Sequence, residues 1–107
     1  MKDFDKIIWR NALTFVDFFA VWCGTCRAMT PVIDRFQKQM NGRADVYRMD
    51  IEDPDLLEIV RRYNIVSVPT LMFFRRGEVL WRESGRIGYD HLANVLRELE
   101  KHEHVLL

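Results

Sequence analysis

The sequence predicts one α/β domain with three layers, a mixed central sheet of about four strands flanked by helices. Three observations carry that expectation. Strand-like runs over 13–20, 44–51, 70–74 and 78–83 are interleaved with stretches whose apolar residues recur at helical spacing. A connection of helix length joins the first two strands, which makes them parallel, whereas the last two flank Arg76-Gly77 as a hairpin. No repeat, linker or low-complexity segment divides the 107 residues, and a chain of that length buries a core without disulfide staples. The domain therefore spans 1–107, with a tail over 102–107 expected to fray.

Phe4, Ile7 and Ile8, with Trp9, stand at roughly helical spacing and predict a short first helix ended by Asn11. Segment 13–20 is apolar on both faces, as a central strand covered by helices on each side must be. Asp17 is the exception: alternation groups it with Phe15 and Phe19, so its neighbours on that face are aromatic. A helix over 25–40 follows from the stripe Met29, Val32, Ile33, Phe36 and Met40, with Pro31 as an internal kink and Asn41-Gly42 as terminator. After the strand over 44–51, Asp53-Pro54 opens a further helix on Leu56, Leu57, Ile59, Val60 and Tyr63. Arg61-Arg62 close it in the order that the helix dipole favours. Val66 to Pro69 is extended, because a residue before proline avoids the helical region. Beyond the hairpin, 85–88 is a loop, and Leu92, Val95, Leu96 and Leu99 mark a terminal amphipathic helix.

Composition narrows the function classes. Apolar residues make up 49% and charged residues 30%, as in an ordinary soluble globular protein, and the formal net charge is zero. Neither nucleic acid nor an anionic membrane is an expected partner, since no long-range field attracts one. The charged start, Met1 to Lys6, precedes only a short apolar patch, too short for a signal-peptide core or a membrane span. A cytoplasmic location is expected.

The two cysteines, Cys23 and Cys26, sit in C-x-x-C spacing where the strand over 13–20 passes into the helix. So small a loop stabilises little when crosslinked, so chemistry explains the pair better than stapling does. A helix starting at Cys23 or Gly24 places the Cys23 sulfur beside unpaired N–H groups and the positive dipole end, which favours a thiolate. Cys26, one turn in, is covered. That supplies an exposed nucleophile and a buried resolving thiol, the two parts needed to attack a disulfide and then release it. Zinc needs about four ligands, and His91, His102 and His104 lie on or beyond the last helix, far from the pair. Asp17 is costly in a two-faced apolar strand, and a raised pKa is the expected compromise. Behind the pair it can take the Cys26 proton when Cys26 attacks a mixed disulfide. Trp22, beside the reactive cysteine, reads as an apolar contact surface for protein substrates. Arg48 has two open readings, a neighbour of Asp17 or a surface charge at a strand end.

The run Val16 to Arg27, then Pro31, Val68-Pro69-Thr70, Gly77 and Gly85, closely resembles the thioredoxin family from about Phe4 to Glu100. Two residues depart from it: Gly24-Thr25 stands where Gly-Pro is common, and Phe19 where tryptophan is usual. The resemblance implies the three-layer thioredoxin fold, with the family's first strand missing because so few residues precede Phe4; one sheet edge is then uncovered. It implies a protein-disulfide reductase with Cys23 and Cys26 as the redox-active disulfide and Asp17 as the buried acid. It also implies a cis Val68–Pro69 bond near the sulfurs, and a substrate groove of Trp22, Gly24, Thr25, Val68, Pro69, Gly85, Arg86 and Ile87. Expected partners are disulfide-containing client proteins and a reductase that draws on NADPH or another donor. No cofactor is expected on this chain, which has no Gly-rich dinucleotide loop, no metal is expected either, and it is expected to be a monomer. The alternatives are an oxidase or isomerase of exported proteins, which the non-proline dipeptide allows, and a thioredoxin-fold interaction module whose thiols are incidental.

Overall fold

The computed structural model describes residues 2–106, and the side chains of residues 3–102. In chain order the elements are α1 (Lys2–Ile8), β1 (Thr14–Phe19), α2 (Gly24–Gln39), β2 (Asp45–Asp50), a 3-10 turn (Pro54–Leu56), α3 (Leu57–Arg62), β3 (Thr70–Arg75), β4 (Glu78–Ser84) and α4 (Tyr89–Leu106). The sheet order is β2-β1-β3-β4. β1 and β2 run parallel, Asp17 opposite Arg48, while β3 is antiparallel to both β1 and β4. The expected mixed four-stranded sheet is therefore the observed one.

Alternation along β1 and β3 sorts the core into two layers. Phe15, Leu71 and Phe73 face α2 and α4, where they pack with Met29, Ile33, Phe36, Leu92 and Leu96. Val16, Phe18, Met72 and Phe74 face the other way, onto Phe4 and Ile8 of α1 and Ile59 of α3. Each of these fully buried large side chains contributes about 1.5–3 kcal/mol, so the helices are held chiefly by burial and need little intrinsic propensity. α2 runs unbroken through Pro31, although that residue offers no N–H to the Arg27 carbonyl.

Several boundaries differ from expectation for local reasons. α1 stops at Ile8, before Trp9, which is 67% exposed. The Trp9 ring covers Gly77 of the β3–β4 turn, where φ is +79° and an added Cβ would fall 2.5 Å from the ring. The helix after Asp53 begins as a 3-10 turn because Asp53 Oδ1 accepts the Asp55 N–H at 3.0 Å, which draws the chain in tightly before α3. The backbone of α4 is helical as far as Leu106, through the stretch expected to fray, and Leu107 lies outside the described residues.

Candidate active site

Strand β1 ends at Phe19, and α2 begins at Gly24 with Cys23 as its N-cap. Cys23 has extended backbone (φ −84°, ψ 111°), which points its sulfur back over the first turn to accept the Cys26 N–H at 3.0 Å. A sulfur replaces the usual capping oxygen there, in the place where the helix dipole stabilises negative charge. Cys23 and Cys26 are joined as a disulfide, with Cα atoms 5.2 Å apart. Their exposures are 7% and 2%. In this oxidised state the expected contrast between an exposed and a covered thiol is thus small. Both pack with Ala20, Phe19, Ile51 and Val68.

The second wall comes from the loop before β3, the strand paired with β1. The Val68–Pro69 bond is cis, and the Val68 carbonyl oxygen lies 3.7 Å from Cys23 Sγ. The Pro69 carbonyl accepts the Gly85 N–H at 2.9 Å, and Thr70 Oγ1 bonds both the Ser67 carbonyl and Ser84 Oγ. These bonds tie the loop before β3 to the loop after β4. Gly85 (φ +97°) makes the turn and Arg86 is exposed, whereas Ile87 is 5% exposed. The Ile87 side chain, expected in a substrate groove, packs into the α2/α4 core, and its N–H reaches Met29 Sδ at 3.4 Å. Around the disulfide the surface is apolar: Val21, Trp22 and Val66 are 66%, 64% and 81% exposed. Trp22 Nε1 donates to Glu52 Oε1 at 2.8 Å.

Asp17 is 1% exposed. The parity that turns Phe15 toward α2 turns Asp17 to the same layer, the one that carries Cys26. Asp17 Oδ2 accepts Arg48 Nε–H at 3.1 Å, and Oδ1 has no hydrogen-bond partner among the described residues. Burial pushes the carboxyl above its ordinary pKa; the Arg48 guanidinium pulls the other way without cancelling it. Of the two readings of Arg48, the pairing with Asp17 is the observed one, and its guanidinium also lies 4.8 Å from the Phe19 ring centroid. Thr25, at the departure from Gly-Pro, is exposed, and the backbone donor recorded at the Cys23 sulfur belongs to Cys26.

Sequence reasoning missed Glu52 and the Met29–Ile87 link. Glu52 was legible in principle: β2 runs parallel to β1, so the residues after both strands emerge at the same end of the sheet.

A thioredoxin family model matches residues 1–98, nearly all of the chain. The chain belongs to the thioredoxin family. It is 31% identical to a Staphylococcus epidermidis thioredoxin over 101 residues, 94% of this chain and 91% of that protein. A Staphylococcus aureus thioredoxin is 29% identical over 100 residues, with shares of 94% and 90%. The crystal structure of Malassezia sympodialis thioredoxin (Mala s 13) superposes with a TM-score of 0.81 at 21% identity, over 91% of this chain and 83% of that one, which shows the shared fold. With its cysteines paired at the strand–helix junction, this thioredoxin is a protein-disulfide oxidoreductase. Its partners are in general those of the family, disulfide-containing client proteins and a reductase. No helix among the described residues is long and apolar enough to cross a membrane.

Proposed function

We propose that this thioredoxin reduces protein disulfides in the cytoplasm, with Cys23 as nucleophile, Cys26 as resolving thiol and Asp17 as proton carrier. The observation that carries the reading is the Cys23 sulfur at the α2 N-cap, accepting the Cys26 N–H at 3.0 Å. A sulfur held there is favoured as the thiolate. In the reduced protein the Cys23 thiolate attacks one sulfur of a client disulfide; a Cys23–client bond forms and the other client sulfur leaves as a thiolate. Cys26 then gives its proton to Asp17 and attacks the Cys23 sulfur. The mixed disulfide breaks, the second client thiolate departs, and the Cys23–Cys26 bond closes. Two electrons have passed to the client.

Asp17 suits its part because burial favours the neutral acid while Arg48 keeps the anion accessible. Trp22, Gly24, Thr25, Val68, Pro69, Gly85 and Arg86 border the disulfide on the client's side, with the Val68 carbonyl oxygen 3.7 Å from the Cys23 sulfur. Electrons return from a partner reductase that takes them from NADPH or another donor, so the chain needs no cofactor or metal of its own. One copy carries the whole site, and the monomer is the working unit.

Reduction of insulin disulfides by dithiothreitol, with and without the protein, tests the activity; no acceleration refutes it. Equilibration with glutathione separates reductase from oxidase. A potential near the family reference of about −270 mV supports the reductase, and one near the roughly −120 mV of a strong oxidant refutes it. Iodoacetamide should alkylate Cys23 before Cys26 in the reduced protein, and equal labelling by mass spectrometry contradicts the assignment of nucleophile.

A further inference from the structure

Phe19 is the last residue of β1, and alternation puts it on the same face as Asp17, two residues earlier. Its side chain touches both parts of the redox machinery. It packs against the buried cluster of Ala20, Cys23 and Cys26, and its ring lies under the Arg48 guanidinium, 4.8 Å from the centroid. The parallel pairing sets Arg48 beside Asp17 and Asp50 beside Phe19, so Arg48 reaches both of its partners from the neighbouring strand. The Arg48 side chain is 31% exposed, and a long side chain held by one hydrogen bond through Nε has solvent as an alternative. The ring face beneath the guanidinium opposes that release.

The position of Arg48 decides which oxygen of Asp17 takes a proton. A neutral carboxyl group has one O–H and one carbonyl oxygen, and the carbonyl oxygen is the better acceptor. Arg48 Nε–H donates to Oδ2 at 3.1 Å, so Oδ2 is the carbonyl oxygen of the neutral acid and the proton belongs on Oδ1. Oδ1 is the buried oxygen with no hydrogen-bond partner among the described residues. We propose that Phe19 is a positioning residue for the proton transfer: its ring holds the Arg48 guanidinium on Oδ2 and thereby keeps Oδ1 for the Cys26 proton. The role rests on the reading of Asp17 as proton carrier. In the step, the Cys26 S–H bond breaks, its electron pair stays on sulfur for the attack on Cys23, and an O–H bond forms at Oδ1. Oδ2 keeps its bond to Arg48 throughout. Burial and Arg48 are the influences on the Asp17 carboxyl. Of the other groups on that face, Asp50 accepts the Glu52 N–H at 2.9 Å, Leu71 of β3 is apolar, and Cys26 of α2 is the proton donor.

Carbon NMR of the Asp17 carboxyl in the oxidised protein tests the arrangement directly. Phe19→Leu keeps an apolar side chain and removes the ring face; the titration midpoint should rise by about half a pH unit, a roughly threefold loss of the anion below the midpoint. Phe19→Trp offers a stronger ring face and should leave the midpoint in place or lower it. In an Arg48→Gln background the ring has no cation to hold, so Phe19→Leu should add no further shift. Resolution of a mixed disulfide with a peptide thiol, followed by stopped flow, should slow roughly threefold in Phe19→Leu below the midpoint and recover above it. If Phe19→Leu does not fold, Phe19→Met takes its place. An unchanged midpoint in the folded variant overturns the proposal. So does an equal shift with and without Arg48, which would report lost packing alone. If Asp17→Asn resolves at the wild-type rate, the carrier reading fails and the role of Phe19 with it, whereas a slow Asp17→Asn beside unmoved midpoints refutes Phe19 alone.

Discussion

The α2/α4 core and the cluster around the disulfide both draw on β1 and α2, and they are built in opposite ways. In the core, Phe15, Phe36 and Phe73 form a closed triangle with ring centroids 5.0–6.1 Å apart, and all three are fully buried. At the site, Ala20, Cys23 and Cys26 are the buried members, with large exposed apolar side chains beside them and, behind, a carboxyl group one oxygen of which has no hydrogen-bond partner among the described residues. The difference teaches that this chain concentrates stability in one half of the strand–helix unit and unmet chemical potential in the other. Substitutions should therefore separate the two properties.

The largest expected effect belongs to the site alone. Cys23→Ser should abolish insulin reduction and trap no clients, whereas Cys26→Ser should accumulate mixed disulfides visible on non-reducing gels. Both should melt close to the wild type under reducing conditions; a large loss of stability in either would blur the comparison. Conversely, Phe73→Ala should cost about 3–5 kcal/mol in urea unfolding. The fraction that remains folded should keep its equilibrium potential with glutathione.

Asp17 belongs to both halves and sharpens the contrast. Asp17→Asn should slow resolution of a mixed disulfide by about a hundredfold, the low end for a positioned proton carrier. Its effect on stability has the opposite sign. The folded-state pKa of Asp17 is raised, so the folded protein holds the proton over a range in which the unfolded chain has lost it. Below the unfolded value of about 3.9 both states are neutral and Asp17 contributes nothing; as pH rises through that value toward the folded one, stability falls. Urea midpoints at pH 4 and pH 8 should show this decline in the wild type and less of it in Asp17→Asn. An equal decline in both would remove Asp17 from the account.

The smallest effect concerns Thr25. Proline there would remove an N–H at the helix start, but the donor recorded at the Cys23 sulfur is that of Cys26. Only the general field of the helix end then remains to be altered, about 0.5 kcal/mol. Thr25→Pro should lower the potential by roughly 10 mV, measurable by glutathione equilibration. A change of several times that size would mean that the Thr25 amide reaches the sulfur in the reduced protein.

Strands, helices and the cysteine pair were legible in the sequence because each rests on a local pattern: alternation in β1, the stripe from Met29 to Met40, a C-x-x-C at a strand–helix junction. What escaped depends on register or on distance along the chain. Arg48 could be assigned to Asp17 only once β2 was aligned on β1, and the packing of the Ile87 side chain against the core could be seen only once the loop after β4 met Met29. Trp9 was counted with the first helix because its spacing fits. Its N–H does close the last helical bond, to the Asp5 carbonyl at 3.0 Å, while its ring lies over Gly77, a contact that no helical periodicity could indicate.

That junction between Trp9 and the hairpin bears on how the protein is made. Gly77 N–H bonds the Ile8 carbonyl and Arg76 N–H bonds the Arg10 carbonyl, both at 2.9 Å, while Arg76 Nε–H donates to Asn11 at 2.7 Å. The end of α1 is therefore fastened by a turn that leaves the ribosome long after it. At about 5–20 residues per second, roughly 3–14 s separate the two. Throughout that interval Phe4 and Ile8, fully covered in the finished protein, have no hairpin to close over them. The nascent chain thus offers the apolar face of α1 to chaperones, and final docking of α1 awaits synthesis of the β3–β4 turn.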